Sequence, residues 1–430
     1  MRIDHIERDP GNPRVHSDKQ IRQIAASITE FGFTVPLLLD AQRRIIAGHG
    51  RLEAAKLIAM REVPTISLTH LTPLQSRALM IADNKLSANA DWDENLLAQQ
   101  FATLSEADLN FDLEITGFET AEIDMFVEGL NMPEDDADRA DQLPAEHDQS
   151  PVSVPGDVWR LNEHLVSCAN ALDLRAYARL MGRRKAAAIF TDPPFNLRIN
   201  GHVGGLGKIR HREFAQASGE MSEAEFADFL ERALGNGAKF SRDGAIHFVA
   251  MDWRHLSELL AAGRKVFTEV KNLCVWTKNN GGMGSFYRSQ HELFLVFKSG
   301  NGPHRNNFEL GQYGRYRTNV WQYPGATSFS RSGEEGNLLA LHPTVKPVRL
   351  VADAILDVTK RGDIVLDQFL GSGTTVIAAE KTGRVCYGLE IDPLYVDTVV
   401  RRWQTFSGKT AIHNDSGRAF PAVETERANG

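Results

Sequence analysis

The sequence predicts an α/β protein, with a largely parallel, doubly wound sheet in its C-terminal two-thirds and a smaller α+β domain before it. Three observations carry this. Short apolar runs at 186–191, 244–250, 270–276, 292–298, 363–368 and 384–390 alternate with helical patterns at 223–235, 255–262, 345–359, 374–382 and 393–405, as in a parallel sheet with helices on both faces. The first 130 residues lack that alternation. Between the two parts, "NMPEDDADRADQLPAEHDQSP" (131–151) is acidic and poor in large apolar residues, the composition of a linker. The expected organisation is a first domain at 1–130, a linker at 131–151, a second domain at 152–418 and a polar tail at 419–430 that frays.

Each element has a local reason. Ser17 is placed to cap a helix whose Ile21, Ile24, Ala25 and Ile28 share one face, with Gly32 ending it. "VPLLLD" and "RRIIAG" read as two strands around a polar turn, "GRLEAAKLIAM" returns to helical spacing, and "VPTISL" is a third strand. "DVWRLNEHLVSC" (157–168) reads as a hairpin that opens the second domain.

Composition narrows the class. The chain has 430 residues, 42% apolar and 24% charged, ordinary for a globular protein with more than one core. No apolar run approaches the roughly 20 residues of a membrane span, and "MRIDHIERDP" has no secretory h-region. The three cysteines, Cys168, Cys274 and Cys386, are far apart and indicate neither zinc nor a disulfide framework, so a reducing cytoplasm and no metal are expected. Net charge is −8, but residues 1–150 hold 13 basic and 27 acidic residues (−14) and residues 151–430 the remaining 35 and 29 (+6). The basic part is the one suited to a polyanion.

Two motifs carry chemistry. In "DIVLDQFLGSGTTVIAAEKTG" a strand enters a Gly371-x-Gly373 turn and Thr374 opens a helix. No lysine follows Gly373, and Val376 stands where a dinucleotide fingerprint needs a third glycine. The next strand ends at Glu390, which can accept from both hydroxyls of a ribose. A ligand with a ribose and no pyrophosphate cradle fits, and S-adenosylmethionine answers that description. "GHVGGLGKIRHR" (201–212) fails the phosphate-loop pattern and reads as a basic, glycine-rich loop.

The second motif is "TDPPFN" (191–196), just past the apolar run "AAAIF". Pro193 and Pro194 remove two N–H donors and leave carbonyl acceptors, Asp192 adds a carboxylate, and Phe195 adds a flat face. A rigid β-turn has the same composition. Two acceptors beside a ring also suit an aromatic amine on a base taken out of its stack. No Pro-Cys dipeptide is present for methylation at a base carbon.

In this order, "TDPPF" before "FLGSGTT", the sequence resembles the β-class DNA amino-methyltransferases, over roughly 155–407. "LNEHLVSCANALD", "LCVWTKNNGGMGSFYRSQHELFLVFK", "LHPTVKPVRLV" and "YGLEIDPLYV" are similar to further family segments. The resemblance implies a Rossmann-like methyltransferase sheet and S-adenosylmethionine as donor. It implies double-stranded DNA as substrate, adenine N6 as target, and a homodimer. Catalysis falls to Asp192, Pro193, Pro194 and Phe195, and donor binding to Asn170, Thr344, Lys346, Asp367, Phe369, Gly371, Gly373, Thr374, Glu390 and Asp392. Asn170 stands where the family commonly has Asp, Gln368 where it has Pro, and Phe195 where Tyr is more usual. Cytosine N4 is the alternative target. Candidate DNA contacts are Lys208, Arg210, Arg212, Arg305, Arg315 and Arg317, in segments where basic residues adjoin glycines or aromatics.

The first domain resembles the ParB-like fold through "NPR", "IAASITEFGFTVPLLL", "IIAGHGRLEAAKL" and "VPTISL". That resemblance implies a phosphate or DNA contact at Gly48, His49, Gly50 and Arg51, hence a nucleotide partner. It also raises the alternative of a non-catalytic DNA-binding protein. Location in the cytoplasm, on the nucleoid, with no membrane contact, is the corresponding expectation.

Overall fold

The computed structural model describes residues 1–87, 92–106, 111–130, 141, 150–196, 217, 219–278, 287–308, 317–323 and 346–429. They form two compact units, Met1–Met132 and Pro133–Gly430.

In the first unit, α1 (Asp18–Phe31) starts at Ser17, whose hydroxyl accepts from the Gln20 amide at 3.1 Å, and ends at Gly32 with φ +79°. β1 (Leu37–Leu39) and β2 (Ile45–Ala47) are antiparallel. Asp40 makes their turn by accepting from the amides of Gln42 and Arg44, both at 2.8 Å. After α2 (His49–Leu57), β3 (Thr65–Ser67) pairs parallel with β1. The alternating residues Leu37 and Leu39 pack with Ile45, Leu52, Ala55 and Val63. Three helices follow: α3 (Pro73–Ser87), α4 (Glu94–Glu106) and α5 (Thr120–Leu130). The last two close over a small core of Phe101, Leu113 and Ile123.

The second unit opens with the hairpin β4 (Val158–Leu161) and β5 (His164–Cys168), then α6 (Leu174–Met181) and β6 (Ala186–Thr191). α7 (Glu223–Lys239) leads to β7 (Ser241–Met251), and α8 (Leu256–Val266) to β8 (Glu269–Thr277), β9 (His291–Lys298) and β10 (Val320–Gln322). α9 (Val348–Val358), β11 (Ile364–Asp367), α10 (Thr374–Thr382), β12 (Val385–Glu390), α11 (Pro393–Ser407), β13 (Ile412–His413) and α12 (Phe420–Asn429) complete it. The strands form one Rossmann-like sheet, ordered β10-β8-β9-β7-β6-β11-β12-β5-β4-β13.

Strands β8, β7, β6, β11, β12 and β5 share one direction, while β9 runs antiparallel between β7 and β8. From β6 the chain winds one way through β7, and it returns to the other side of β6 with β11. The carboxyl edge between β6 and β11 is therefore the switch point, where open α/β sheets bind ligands.

The tail needs correction. Residues 420–429 are helix α12, not a fraying end. Phe420 is buried 4.9 Å from the Trp159 ring, Val423 is buried, and Arg427 bonds Asp157 at 2.5 Å. Phe420 and Val423, three apart, with Arg427 on Asp157, seat a short helix that composition hid.

Candidate active site

β6 is buried along its length apart from the half-buried Ala187, and it delivers its last residue, Thr191, to the switch point. The Thr191 hydroxyl donates to Asp367 Oδ1 at 3.1 Å and accepts from the Gln368 amide at 3.2 Å, stitching the ends of β6 and β11 together. Asp192-Pro193-Pro194-Phe195 follows at once. Asp192 Oδ2 accepts from Lys346 Nζ at 2.6 Å, while its Oδ1 is buried and, among the described residues, has no hydrogen-bond partner. Lys346 is 4% exposed, lies 3.0 Å from Glu292 Oε2, and sits 5.7 Å from the centre of the Phe195 ring. Lys278 holds the other Glu292 oxygen at 2.5 Å. Burial pushes the Asp192 carboxyl up from its usual range, against the pull of Lys346. Burial also opposes the charge on Glu292, but Lys346 and Lys278 outweigh it and hold that carboxyl at about 2.

The glycine turn lies on the other side of the switch point. Gly371 and Gly373 have φ of +51° and +81°, which L side chains adopt only with strain. The Gly371 amide donates to Glu390 Oε2 at 2.8 Å, and the Asp392 amide to Glu390 Oε1 at 2.9 Å. Each oxygen keeps a second acceptor site. Burial pushes Glu390 up to about 7, with those two amides opposing it. Asp367 is pushed up to about 6 by burial, although Thr375, the Phe369 amide and Thr191 all donate to it. Beneath the turn, the buried Arg402 donates to the Ser372 carbonyl at 3.0 Å and to Thr374 Oγ1 at 3.2 Å. At Gly388 a Cβ would lie 2.2 Å from Leu370, so β12 and the turn touch through hydrogen only. This narrow glycine cradle, ending in a buried carboxylate, fits a ribose-bearing methyl donor.

The remaining expected residues fall variously. Asn170 Oδ1 accepts from the Leu172 amide at 2.9 Å, making a turn at the end of β5. Asp392 caps α11 by accepting from the Leu394 amide at 3.0 Å. Phe369 packs 6.0 Å from Phe229. Lys346, expected to bind the donor, pairs with Asp192. Arg317 needs correction as a free DNA contact: it is held by Asp357 at 3.0 Å and the Tyr323 hydroxyl at 2.9 Å, with Asp353 3.6 Å away. Its charge is spent inside the fold. Arg305 is exposed. Thr344, Lys208, Arg210, Arg212 and Arg315 lie outside the described residues. In the first unit Gly48, with φ +104°, opens α2, and His49 and Gly50 are buried at its start. Arg51 donates to the carbonyls of Val35 and of Pro36, the latter at 2.8 Å.

Sequence reasoning missed four contributors. Gln368 replaces a proline with a residue whose amide is used by Thr191, and its side chain bonds Tyr177 at 2.7 Å and the Ala233 carbonyl at 2.6 Å. Asn196, at φ +53°, donates to the Met221 carbonyl and accepts from the amides of Gly219 and Met221. It pins the chain leaving the motif to the chain entering α7. An asparagine after a Pro-Pro-aromatic run is a legible signal for such a left-handed corner. Glu292 and Lys278 had none, since their role depends on strand order.

A family model for DNA methylases acting at N6 or N4 matches residues 186–401, half of the chain. The chain belongs to the N6/N4 DNA methyltransferase family. S-adenosylmethionine is the donor of this methyltransferase and DNA its substrate. The ParB N-terminal domain model matches residues 1–84, and a ParB-methyltransferase helix-turn-helix model matches 95–155. That last match runs from α4 across the acidic segment, and residues 95–155 together hold 15 acidic residues and Arg139 as their one Lys or Arg, a poor balance for phosphate contact.

Type II methyltransferase M2.MboI of Moraxella bovis is 23% identical over 222 residues, 50% of this chain and 79% of that protein. ParB-like nuclease domain-containing protein YnaK of Escherichia coli K12 is 47% identical over 66 residues, 15% of this chain and 76% of that protein. The M1.HpyAVI–SAM complex is 22% identical, with a TM-score of 0.41, over 55% of this chain and 97% of that one. Among the described residues, no helix is long and apolar enough to cross a membrane.

Proposed function

We propose that the methyltransferase moves a methyl group to the exocyclic N6 of an adenine flipped out of double-stranded DNA. The observation that carries this is Asp192 Oδ1: a buried acceptor without a partner among the described residues, at the switch point, next to Phe195. A buried polar atom without a partner is costly, and an amine N–H is what this one lacks. Phe195 stacks the base, Asp192 Oδ1 accepts one amine hydrogen, and a carbonyl of the Pro193–Pro194 segment accepts the other. Drawing both hydrogens out of the ring plane frees the nitrogen lone pair. Bound S-adenosylmethionine supplies an electrophilic methyl on sulfur, which keeps the bonding electrons as the methyl leaves. Asp192 stabilises the positive charge that develops on nitrogen, and the amine proton then departs to solvent. Glu390 and the glycine turn fix the donor, so positioning does most of the work.

The resemblance to the β-class amino-methyltransferases, with aspartate rather than serine at position 192, favours adenine over cytosine in this reading. The test is nucleoside analysis of DNA labelled by the purified protein from tritiated donor. Label in N6-methyladenine is expected; label in N4-methylcytosine overturns the choice of base. Replacing Asp192 by Ala should cost at least about a hundredfold in turnover.

The ParB-like domain is read as a targeting or regulatory module with a nucleotide at Gly48–Arg51. Arg51, bonded to two carbonyls in this structure, must be released to reach a phosphate. Nucleotide binding that survives Arg51→Ala unchanged counts against this. A DNA substrate places the enzyme, in this reading, on the nucleoid in the cytoplasm.

A further inference from the structure

We propose that Lys346, anchored by Glu292 and Lys278, is a positioning cation that claims one oxygen of Asp192 and leaves the other as its single acceptor for the target amine. This rests on the reading of Asp192 as the amine acceptor.

Four charges alternate in one chain of contacts: Asp192, Lys346 at 2.6 Å, Glu292 at 3.0 Å from Lys346, and Lys278 at 2.5 Å from Glu292. They come from four separate places. Asp192 follows β6, Lys278 follows β8, Lys346 precedes α9, and Glu292 is the second residue of β9. The antiparallel direction of β9 explains the last. Its first residues pair with the last residues of β8, Thr277 with His291 and Trp276 with Glu292. The strand therefore begins at the sheet edge where its neighbours end. A parallel strand in that slot would carry Glu292 to the opposite edge, away from the chemistry.

Lys346 cannot act as a mobile surface charge. It is 4% exposed and lies between two carboxylates and the Phe195 ring. A buried ammonium persists only where anions hold it, and Glu292 is the anion that does not take part in the reaction. With Oδ2 occupied by Lys346, the carboxylate is fixed in rotation and Oδ1 is held in place to accept. Lys278, 4.6 Å from the Trp276 ring centre, closes the chain on its outer side. Among the described residues, the charged groups facing Asp192 are thus Lys346, Glu292 and Lys278, with Asp367 across the switch point.

The two partners act on Asp192 with opposite sign. Lys346 favours its charged, accepting form, and Glu292 opposes it. The experiment is single-turnover methylation against pH, with donor affinity measured separately by calorimetry. Lys346→Met should move the acid limb to higher pH by about one unit or more, and Lys346→Arg should restore most of that shift. Glu292→Gln should move the limb to lower pH. Donor affinity should stay within about threefold of the parent in all three.

Unmoved limbs, or limbs that move the same way for Lys346→Met and Glu292→Gln, overturn the proposal. So does a Lys346→Met loss confined to donor affinity, which would make Lys346 a donor-binding residue. Asp192→Ala distinguishes the levels. If it keeps full activity, the amine-acceptor reading itself fails; if it is inactive while the limbs stay put, only the positioning role fails.

Discussion

Gly388→Ala probes the cradle most directly. Gly388 lies on β12 beside the glycine turn, and a Cβ there would lie 2.2, 2.4 and 2.7 Å from Leu370 Cδ1, Cγ and Cδ2. Leu370 is 5% exposed, and its backbone is held at both ends. Its amide donates to the Leu389 carbonyl at 3.0 Å, and its carbonyl accepts from the Gly373 amide at 2.8 Å. The side chain therefore cannot retreat without shifting the turn. Overpacking of this kind costs about 1–3 kcal/mol. If the strain falls on the donor-binding geometry, affinity for S-adenosylmethionine drops about 5- to 150-fold. If it falls on the core, the melting temperature drops by about 2–12 °C, at roughly 2–4 °C per kcal/mol for a domain of this order. Calorimetric titration and thermal melting on the same preparation separate the two. Leu370→Ala alone should cost about 2–5 kcal/mol, and the double variant should be more stable than the sum of the singles, because the new methyl fills the space vacated. Wild-type affinity together with a wild-type melting temperature for Gly388→Ala would refute the argument that β12 and the turn meet without room for a methyl.

The Glu390 carboxyl, pushed up to about 7 from an ordinary 4.5, binds a proton in the folded state that the unfolded chain has already lost; its contribution to stability therefore falls by about 3 kcal/mol as pH rises from about 4.5 to 7. Comparing Glu390→Gln with the parent by denaturant midpoints across that range should show this slope lost in the variant, and donor affinity of the parent should rise through pH 7. Glu380 behaves oppositely: burial opposes its charge, but His164, Trp403 and Lys409 hold it at about 2. Its contribution is full above about 4.5 and is lost as pH falls toward 2, so Glu380→Gln should flatten acid unfolding in circular dichroism. Asn196→Gly keeps the left-handed corner but loses three hydrogen bonds, and should cost about 1–3 kcal/mol in chemical denaturation; Asn196→Ala should cost about 1 kcal/mol more through its backbone.

Much of the second unit was legible because its signals are local. β6 and α10 fall at the expected residues, and the hairpin at 157–168 closes as its turn chemistry implies. The apolar strands of a buried sheet stand out in one dimension, and so do prolines and glycines that restrict the backbone. The helices at 73–130 were not legible. Their apolar residues sit in small clusters, such as Phe101 with Leu113 and Ile123, and the surrounding acidic residues mask the period. The α12 helix was hidden in the same way, since Phe420 acquires its meaning only against Trp159.

The sequence by itself determined the two candidate motifs: an acid and a ring held by two prolines, and a glycine turn followed by a strand ending in a carboxylate. Those are properties of residue type and close spacing. The tertiary structure alone decided that Thr191 joins the two motifs and that Lys346 pairs with Asp192. It also decided that Arg317 is neutralised within the fold. Lys346 lies 154 residues from Asp192 and Glu292 lies between them in the chain, and they meet because one antiparallel strand begins where its parallel neighbours end.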